Sequence, residues 1–292
     1  MIVRRVDGGL EALAPAKLNL FLEVRGRRPD GYHELETLMV AVDLYDVLRV
    51  AEGPSGRIEF RCDDPGLPAG PENLVVRAAE RLRAASGTDR GATIELRKSI
   101  PAGAGLGGGS SDAAATLAAL DLLWDLRTPP GRLDALAGEI GSDVAFFLHA
   151  PAAVCRGRGE LVEPIPAAGP LHFVLVCPPF GVATAEVYRR VEVPDRPRPI
   201  GPALEAFRLG DPTALGASLF NRLEPAAVAL APALGRVGAA LATLGPGLLG
   251  SGLSGSGSAW FGLCRDPGAA RKAADTLRTL TQGRVWVVSC GP

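Results

Sequence analysis

Pro101-Ala-Gly-Ala-Gly-Leu-Gly-Gly-Gly-Ser-Ser111 is the stretch on which the fold reading turns. Five glycines within its residues 103–109 let the backbone take turns closed to other residues and approach a ligand closely. Ala92–Leu96 ahead of it reads as a strand. Ser110–Leu126 behind it reads as a helix, with hydroxyls at its start and Ala113, Ala114, Leu117, Leu120 and Trp124 on one apolar face. In a strand–loop–helix order, free N–H groups and the positive end of the helix dipole converge on one point, which makes an anion site with phosphate as the usual occupant. Ser110 and Ser111 are placed to cap the helix, to contact phosphate oxygens or to help hold a magnesium ion. The plainer alternative is a surface loop with a serine N-cap.

Three phosphate-binding loops compete for this segment. Gly103-Ala-Gly105-Leu-Gly107-Gly108 contains the G-x-G-x-x-G spacing of dinucleotide folds, but several strands precede it and the acids Asp121 and Asp125 fall within the expected helix. A Walker loop needs Gly-Lys-Ser/Thr, and no lysine follows these glycines. The protein-kinase partners H-R-D and D-F-G do not occur. A different nucleotide fold with its own loop remains.

Working outward, Leu18–Val24 and Thr37–Val50 read as strands around a turn at Pro29-Asp30-Gly31, and Arg57–Cys62 alternates as a half-buried strand. Leu74–Ala85 has helical spacing with Gly87 as its stop, and Leu133–Glu139 is a short helix. Leu171–Cys177 is a buried strand, followed by helical patterns at 203–209, 213–219 and 232–244 and a Pro-rich loop at 192–202. Ala259–Leu263, a helix near 269–281 and Arg284–Val288 close the chain as strand, helix and strand. Strands come before helices in each half, which predicts an α+β architecture rather than a repeating parallel sheet. The expected division is 1–155 and 156–292, with the last strand left open to return to the first domain.

With 292 residues the chain has material for roughly two domains of ~150 residues. Its charge of −1, from 31 basic and 32 acidic residues, argues against nucleic acid or an anionic membrane as partner. A mean hydropathy of +0.17 excludes wholesale disorder, and each apolar run is interrupted before the ~20 residues that span a bilayer. Met1–Asp7 does not read as a secretory signal, so a cytoplasmic protein is expected, as a monomer or weak homodimer. Five cysteines without C-x-x-C spacing and three histidines assemble no zinc site. The metal ligands, if any, stay unknown at this level.

Phosphoryl transfer needs nucleotide grip, charge neutralisation and a group that orients the attacking hydroxyl. Asp143, in Gly141-Ser142-Asp143-Val144, and Lys17, in Ala14-Pro15-Ala16-Lys17-Leu18-Asn19-Leu20, suit that last role as an ion pair; alternatively Asp143 caps a helix and Lys17 snorkels from a strand edge. Tyr32 and His33 after the turn can stack on a base and bond its edge, or form a plain surface pair. His149 and His172 read as structural. Gly250–Ser258 is either a linker or a second backbone cradle.

Together these segments resemble the GHMP kinases, the superfamily of galactokinase, homoserine kinase and mevalonate kinase. Pro101–Ser111 looks like their phosphate loop, Ala14–Leu20 like their first motif and Leu253-Ser-Gly-Ser-Gly257 like their third, in order and across almost the whole chain. Gly26-Arg-Arg-Pro-Asp-Gly-Tyr-His-Glu-Leu-Glu-Thr37, with Gly107–Asp112 and Gly141–Asp143, is similar to the branch acting on a cytidine diphosphate ester of methylerythritol in the non-mevalonate isoprenoid pathway.

The resemblance implies a two-domain GHMP kinase fold: an N-terminal α/β ATP-binding domain like domain 2 of ribosomal protein S5, and a C-terminal ferredoxin-like domain that completes the substrate site. It implies ATP as cofactor, with magnesium expected on general grounds and Ser111 and Asp143 as its nearest candidate ligands. Asp143 matches the base, Lys17 its cationic partner and Asn19 a nearby polar contact. Tyr32 and His33 match the cytosine-recognition residues, and Tyr188, in Thr184-Ala-Glu-Val-Tyr188, a second stacking aromatic, with Thr184 beside it. Pro101, Ala102, Gly103, Ala104, Gly105, Leu106, Gly107, Gly108, Gly109, Ser110 and Ser111 would hold the ATP phosphates, and Asn73 and Lys98 would contact the nucleotide. Pro178-Pro179-Phe180-Gly181 departs from the family's more usual Pro-Gly pair. Another GHMP small-molecule kinase, or a non-catalytic nucleotide-binding module, is the rival reading.

Overall fold

Long strands dominate the start of the computed structural model, which describes residues 1–166 and 169–291. The first half of the chain runs β1 (Ile2–Val6), β2 (Gly9–Arg27), β3 (His33–Gly53), β4 (Ile58–Cys62), α1 (Leu74–Ser86), β5 (Gly91–Arg97), α2 (Gly108–Leu123), α3 (Pro130–Ile140) and α4 (Val144–His149). The second half runs β6 (Ala152–Gly157), β7 (Leu161–Pro164), β8 (Leu171–Cys177), α5 (Thr184–Arg190), α6 (Gly201–Leu209), α7 (Pro212–Ser218) and β9 (Phe220–Asn221). It continues with α8 (Glu224–Leu230), α9 (Ala233–Ala242), β10 (Leu248–Leu253), β11 (Trp260–Cys264), α10 (Pro267–Leu280) and β12 (Arg284–Cys290). Chain proximity defines two units: one of residues 1–16, 44–100 and 107–150, the other of residues 17–43, 101–106 and 151 onward. The long strands β2 and β3 and the glycine loop thus each contribute residues to both.

In the first unit, β1 pairs antiparallel with the start of β2, the end of β3 pairs antiparallel with β5, and β4 runs parallel to β5. Asn73 starts α1 by accepting from the Val75 N–H at 2.9 Å, and Gly87, left-handed at φ 69°, ends it. Helix α2 differs from its sequence reading. It begins at Gly108, with Gly107 left-handed at the N-cap and no side-chain cap, so neither serine caps it. It is also buried on nearly every side, against α1, α3 and α4, which its small alanines permit.

In the second unit, the start of β3 pairs with β6, β6 with β7, and Phe21–Leu22 with β9. Strands β6 and β7 and helix α5 were not expected; Ala152–Gly157 holds only Val154 as a strong strand former, and its pairing with β3 supplies the rest. A four-stranded antiparallel sheet runs β10-β11-β8-β12, with α10 packed on it. Two strands flank a helix-bearing crossover, a hairpin follows, and a last helix and strand close it, the ferredoxin-like order. Strand β12 pairs with β8 along its whole length, so the last strand stays in this sheet and does not return to the first domain. Val174, Val176, Leu241, Trp260, Ala274 and Leu277 are among its core residues.

Gly262 in the middle of β11 marks how tightly that core is filled: a Cβ there would lie 2.5 Å from Leu248 Cδ1 and 3.0 Å from Val174 Cγ1. Gly262→Ala is expected to cost about 1–3 kcal/mol of unfolding free energy by overpacking. A urea unfolding midpoint equal to that of the parent chain would refute this packing.

Candidate active site

Alternation along β2 puts Lys17, Asn19 and Phe21 on one face. Lys17 is 3% exposed, which removes the snorkelling alternative. Its Nζ donates to Asn19 Oδ1, and Asn19 Nδ2 donates to Thr37 Oγ1 at 2.9 Å. Within the same unit the three segments singled out in the sequence meet on the carbonyl oxygens of the glycine loop. Lys17 N donates to Leu106 O at 2.9 Å, Ala259 N to Ala104 O at 3.0 Å, and Ser254 Oγ to Gly105 O at 2.9 Å. Gly105 has φ 77°, and a Cβ on it would lie 2.0 Å from Ser254 O, so glycine is required there twice over.

The run 250–258 is therefore no linker. Leu253–Ser258 is buried, and Asn221 holds it: its Nδ2 donates to Leu253 O at 2.8 Å and Gly255 O at 2.7 Å, while its Oδ1 accepts from Leu223 N. Nothing in the local sequence marks Asn221, because its role depends on β9 lying beside β2.

On the other unit, Ser111 N donating to Gly107 O opens the α2 ladder, so the N–H groups of Gly108, Gly109 and Ser110 precede any intrahelical acceptor. Ser111 Oγ is buried with no hydrogen-bond partner. Beneath the helix start, the Lys98 ammonium bonds Asp46 and, at 2.8 Å, Asp112. Asp46 Oδ1 also accepts from the N–H groups of Ser99 and Ile100. Burial works against the Lys98 charge, but Asp112 and Asp46 outweigh it and hold the ammonium above its ordinary range. One cation between two buried carboxylates leaves a negative charge in excess. Burial, with Asp46 adding and Lys98 opposing, pushes the Asp112 carboxyl up to about 7.

Asn73 and Lys98, expected to contact the nucleotide, thus have polar groups committed to protein partners: Asn73 to Val75 N and Pro68 O, Lys98 to its two carboxylates. Asp143 occupies the N-cap position of α4 but makes no side-chain capping bond, so that alternative for its carboxylate does not hold. His149 bonds Asp134 and His172 bonds Ser289, in line with structural roles.

The turn before β3 is set by Asp30, which accepts from Tyr32 N and pairs with Arg28. Tyr32 is exposed, with the Arg158 guanidinium 4.8 Å over its ring. His33 lies instead against Tyr188, ring centroids 5.3 Å apart and tilted 32°. Its Nε2 is buried without a hydrogen-bond partner, and burial, with Arg27 adding, lowers the imidazole's pKa. That favours the neutral ring, suited to an edge contact with a base. Thr184, at the start of the helix that carries Tyr188, shares a 2.8 Å hydroxyl contact with Ser256 of the glycine-serine run.

Residues 73–150 match the family model described as GHMP kinases N terminal domain, and residues 203–280 the one described as GHMP kinases C terminal. The 4-diphosphocytidyl-2-C-methyl-D-erythritol kinase of Pelotomaculum thermopropionicum is 45% identical over 271 residues, 92% of this chain and 94% of that one. The enzyme of the same name from Thermus thermophilus is 44% identical over 286 residues, 97% of each. A crystal structure of 4-(cytidine 5'-diphospho)-2C-methyl-D-erythritol kinase, 43% identical, aligns with a TM-score of 0.81 over 97% of this chain and 99% of that one.

The Asp112 carboxyl generates a pH prediction. Its folded pKa of about 7 lies above the unfolded value of about 4, so between these values the folded state keeps a proton the unfolded state has released. Stability from this group is full below about pH 4 and is lost as pH rises to about 7. Asp112→Asn is therefore expected to gain stability relative to the parent chain on going from about pH 5 to about pH 7.5 in urea titrations. Parallel pH curves for the two proteins would overturn the assignment.

Proposed function

The chain belongs to the 4-diphosphocytidyl-2-C-methyl-D-erythritol kinase family of GHMP kinases, and from that premise we propose that it transfers the γ-phosphate of ATP to the 2-hydroxyl of 4-diphosphocytidyl-2-C-methyl-D-erythritol, on the non-mevalonate route to isoprenoid precursors. The observation that carries the reading is the hydrogen-bonded convergence of the three motifs on the carbonyls of Ala104, Gly105 and Leu106.

In the proposed reaction, residues 101–111 hold the triphosphate through backbone N–H groups and the positive end of α2. Asp143 takes the proton of the 2-hydroxyl as its oxygen attacks the γ-phosphorus; the bond to the β-phosphate oxygen breaks and ADP leaves. Lys17 stabilises the charge that develops on the attacking oxygen, with Asn19 beside it. Tyr32, His33, Thr184 and Tyr188 form the cytosine end, where ring stacking gives affinity and the imidazole edge gives selectivity. Asn73 and Lys98 act as supports of the nucleotide site, since their polar groups already have protein partners.

Among the described residues no cluster of three His, Cys, Asp or Glu is placed to hold a metal. The orphaned hydroxyl of Ser111 nonetheless fits a magnesium ion brought in with the triphosphate, and Ser111 and Asp143 are its proposed ligands. That ion would neutralise phosphate charge. We assign ATP binding to residues 1–155 and completion of the substrate site to 156–292, in a cytoplasmic monomer or weak homodimer; no described helix is long and apolar enough to cross a membrane.

A coupled ADP-release assay with the cytidyl substrate beside homoserine and mevalonate tests the proposal, and turnover is expected with the first alone. Asp143→Asn is expected to lose turnover by several orders of magnitude while still binding ATP; turnover at the parent rate would exclude it as base. Tyr188→Ala is expected to weaken cytidyl-substrate affinity by about 1–3 kcal/mol, and unchanged affinity would remove the stacking role.

A further inference from the structure

A directed chain of hydrogen bonds starts at the Lys17 ammonium and ends on the Phe21 carbonyl. Thr37, near the start of β3, donates its hydroxyl proton to Phe21 O at 2.6 Å. A carbonyl oxygen has no proton to offer, so the direction of this bond is forced, and the hydroxyl's one proton is committed. Thr37 Oγ1 then serves its next neighbour only as an acceptor. That neighbour is Asn19, whose Nδ2 donates to it at 2.9 Å.

The other end of the same amide, Asn19 Oδ1, accepts from Lys17 Nζ. An ammonium offers only protons, so it too demands the oxygen of the amide. Turning the amide over would set oxygen against an oxygen without a spare proton, and NH2 against an ammonium. Thr37 is 2% exposed, Lys17 3% and Asn19 4%, so water is poorly placed to repair either mismatch. The Asn19 amide therefore has one stable orientation, and it is imposed from both ends. Gly255 closes the chain from above: a Cβ on it would meet Lys17 Nζ at 3.2 Å and Asn19 Oδ1 at 3.5 Å.

We propose that Thr37 is a positioning residue for phosphoryl transfer: by fixing the orientation of the Asn19 amide it aims the Lys17 ammonium at the attacking oxygen. This rests on the role given to Lys17 above. Lysine carries four rotatable bonds, and an ammonium free to swing would spend much of its time away from the reacting oxygen. Thr37 itself touches no substrate in this scheme.

Thr37→Val keeps the side-chain shape and removes both the proton and the acceptor; Thr37→Ser keeps both. In the ADP-release assay Thr37→Val is expected to lower kcat by about 10- to 100-fold, the usual scale for a residue that orients a contacting group, with KM for both substrates nearly unchanged. Thr37→Ser is expected to restore most of kcat. Placed on an Asn19→Ala background, Thr37→Val is expected to cause no further loss, because its effect passes through Asn19. A parent-like kcat for Thr37→Val, or an equal loss on both backgrounds, would overturn the proposal.

If valine gives no folded protein, Thr37→Cys, whose thiol donates weakly, takes its place under the same criteria. The side-chain amide protons of Asn19, followed by NMR, give a readout independent of activity. They are expected to exchange slowly in the parent chain and at least tenfold faster without the threonine hydroxyl; equal exchange in both would refute the relay. Absence of kinase activity in the parent chain, with the exchange difference intact, would count against the function and leave the relay standing.

Discussion

A loop made largely of glycine cannot hold its own shape, because it has few side chains to pack and much backbone freedom to lose. In this protein the first half of the loop is held from outside. Ala104, Gly105 and Leu106 each give their carbonyl oxygen to another motif: Ala259 N, Ser254 Oγ and Lys17 N. Asn221 in turn ties the carbonyls of Leu253 and Gly255, so the segment that does the holding is itself held. The three stretches are one hydrogen-bonded object, and Lys17 enters the site because its backbone is part of it.

Burying charge is costly unless each charge is met locally. Three clusters meet that requirement in different ways. Glu23, fully buried, takes two bonds from the Arg222 guanidinium and one each from the N–H groups of Val24 and Arg198; burial opposes its ionisation, yet these donors hold its carboxyl below the usual range. That cluster also secures the Pro-rich span 192–202 to β2. Lys98 serves two carboxylates and leaves Asp112 Oδ1 without a partner, and burial, with Asp46 adding and Lys98 opposing, pushes the Asp112 carboxyl up. Lys17 meets a neutral amide whose orientation is imposed by a threonine, so part of its partnering carries no counter-charge.

Much was legible in the residues alone, and for identifiable reasons. The strands at 18–24, 37–50 and 171–177 announce themselves by dense β-branched and aliphatic runs, and α1 by its apolar spacing between Asn73 and Gly87. The motifs at 14–20, 101–111 and 253–257 were enough to place the chain among the GHMP kinases, which the relatives and family models bear out. Where the reading left alternatives open, the structure decided between them. Serines at the start of α2 look like caps, yet Gly107 ends the loop in a left-handed turn that leaves them free of that duty. The glycine-serine run looks like a linker until Asn221 and Gly105 are brought against it.

The sequence by itself determined which residues can turn, stack or carry charge, because those capacities are local: glycine's freedom at 103–109, the apolar periodicity of the helices, the lone lysine within an apolar strand. Only the tertiary structure decided which of these capacities are used. Thr37 and Phe21 lie 16 positions apart and Asn221 and Leu253 lie 32 apart, and a hydrogen bond acts only when donor and acceptor come within about 3 Å. No local pattern encodes such a meeting; it follows from strand pairing, once β3 has settled beside β2 and β9 beside β2.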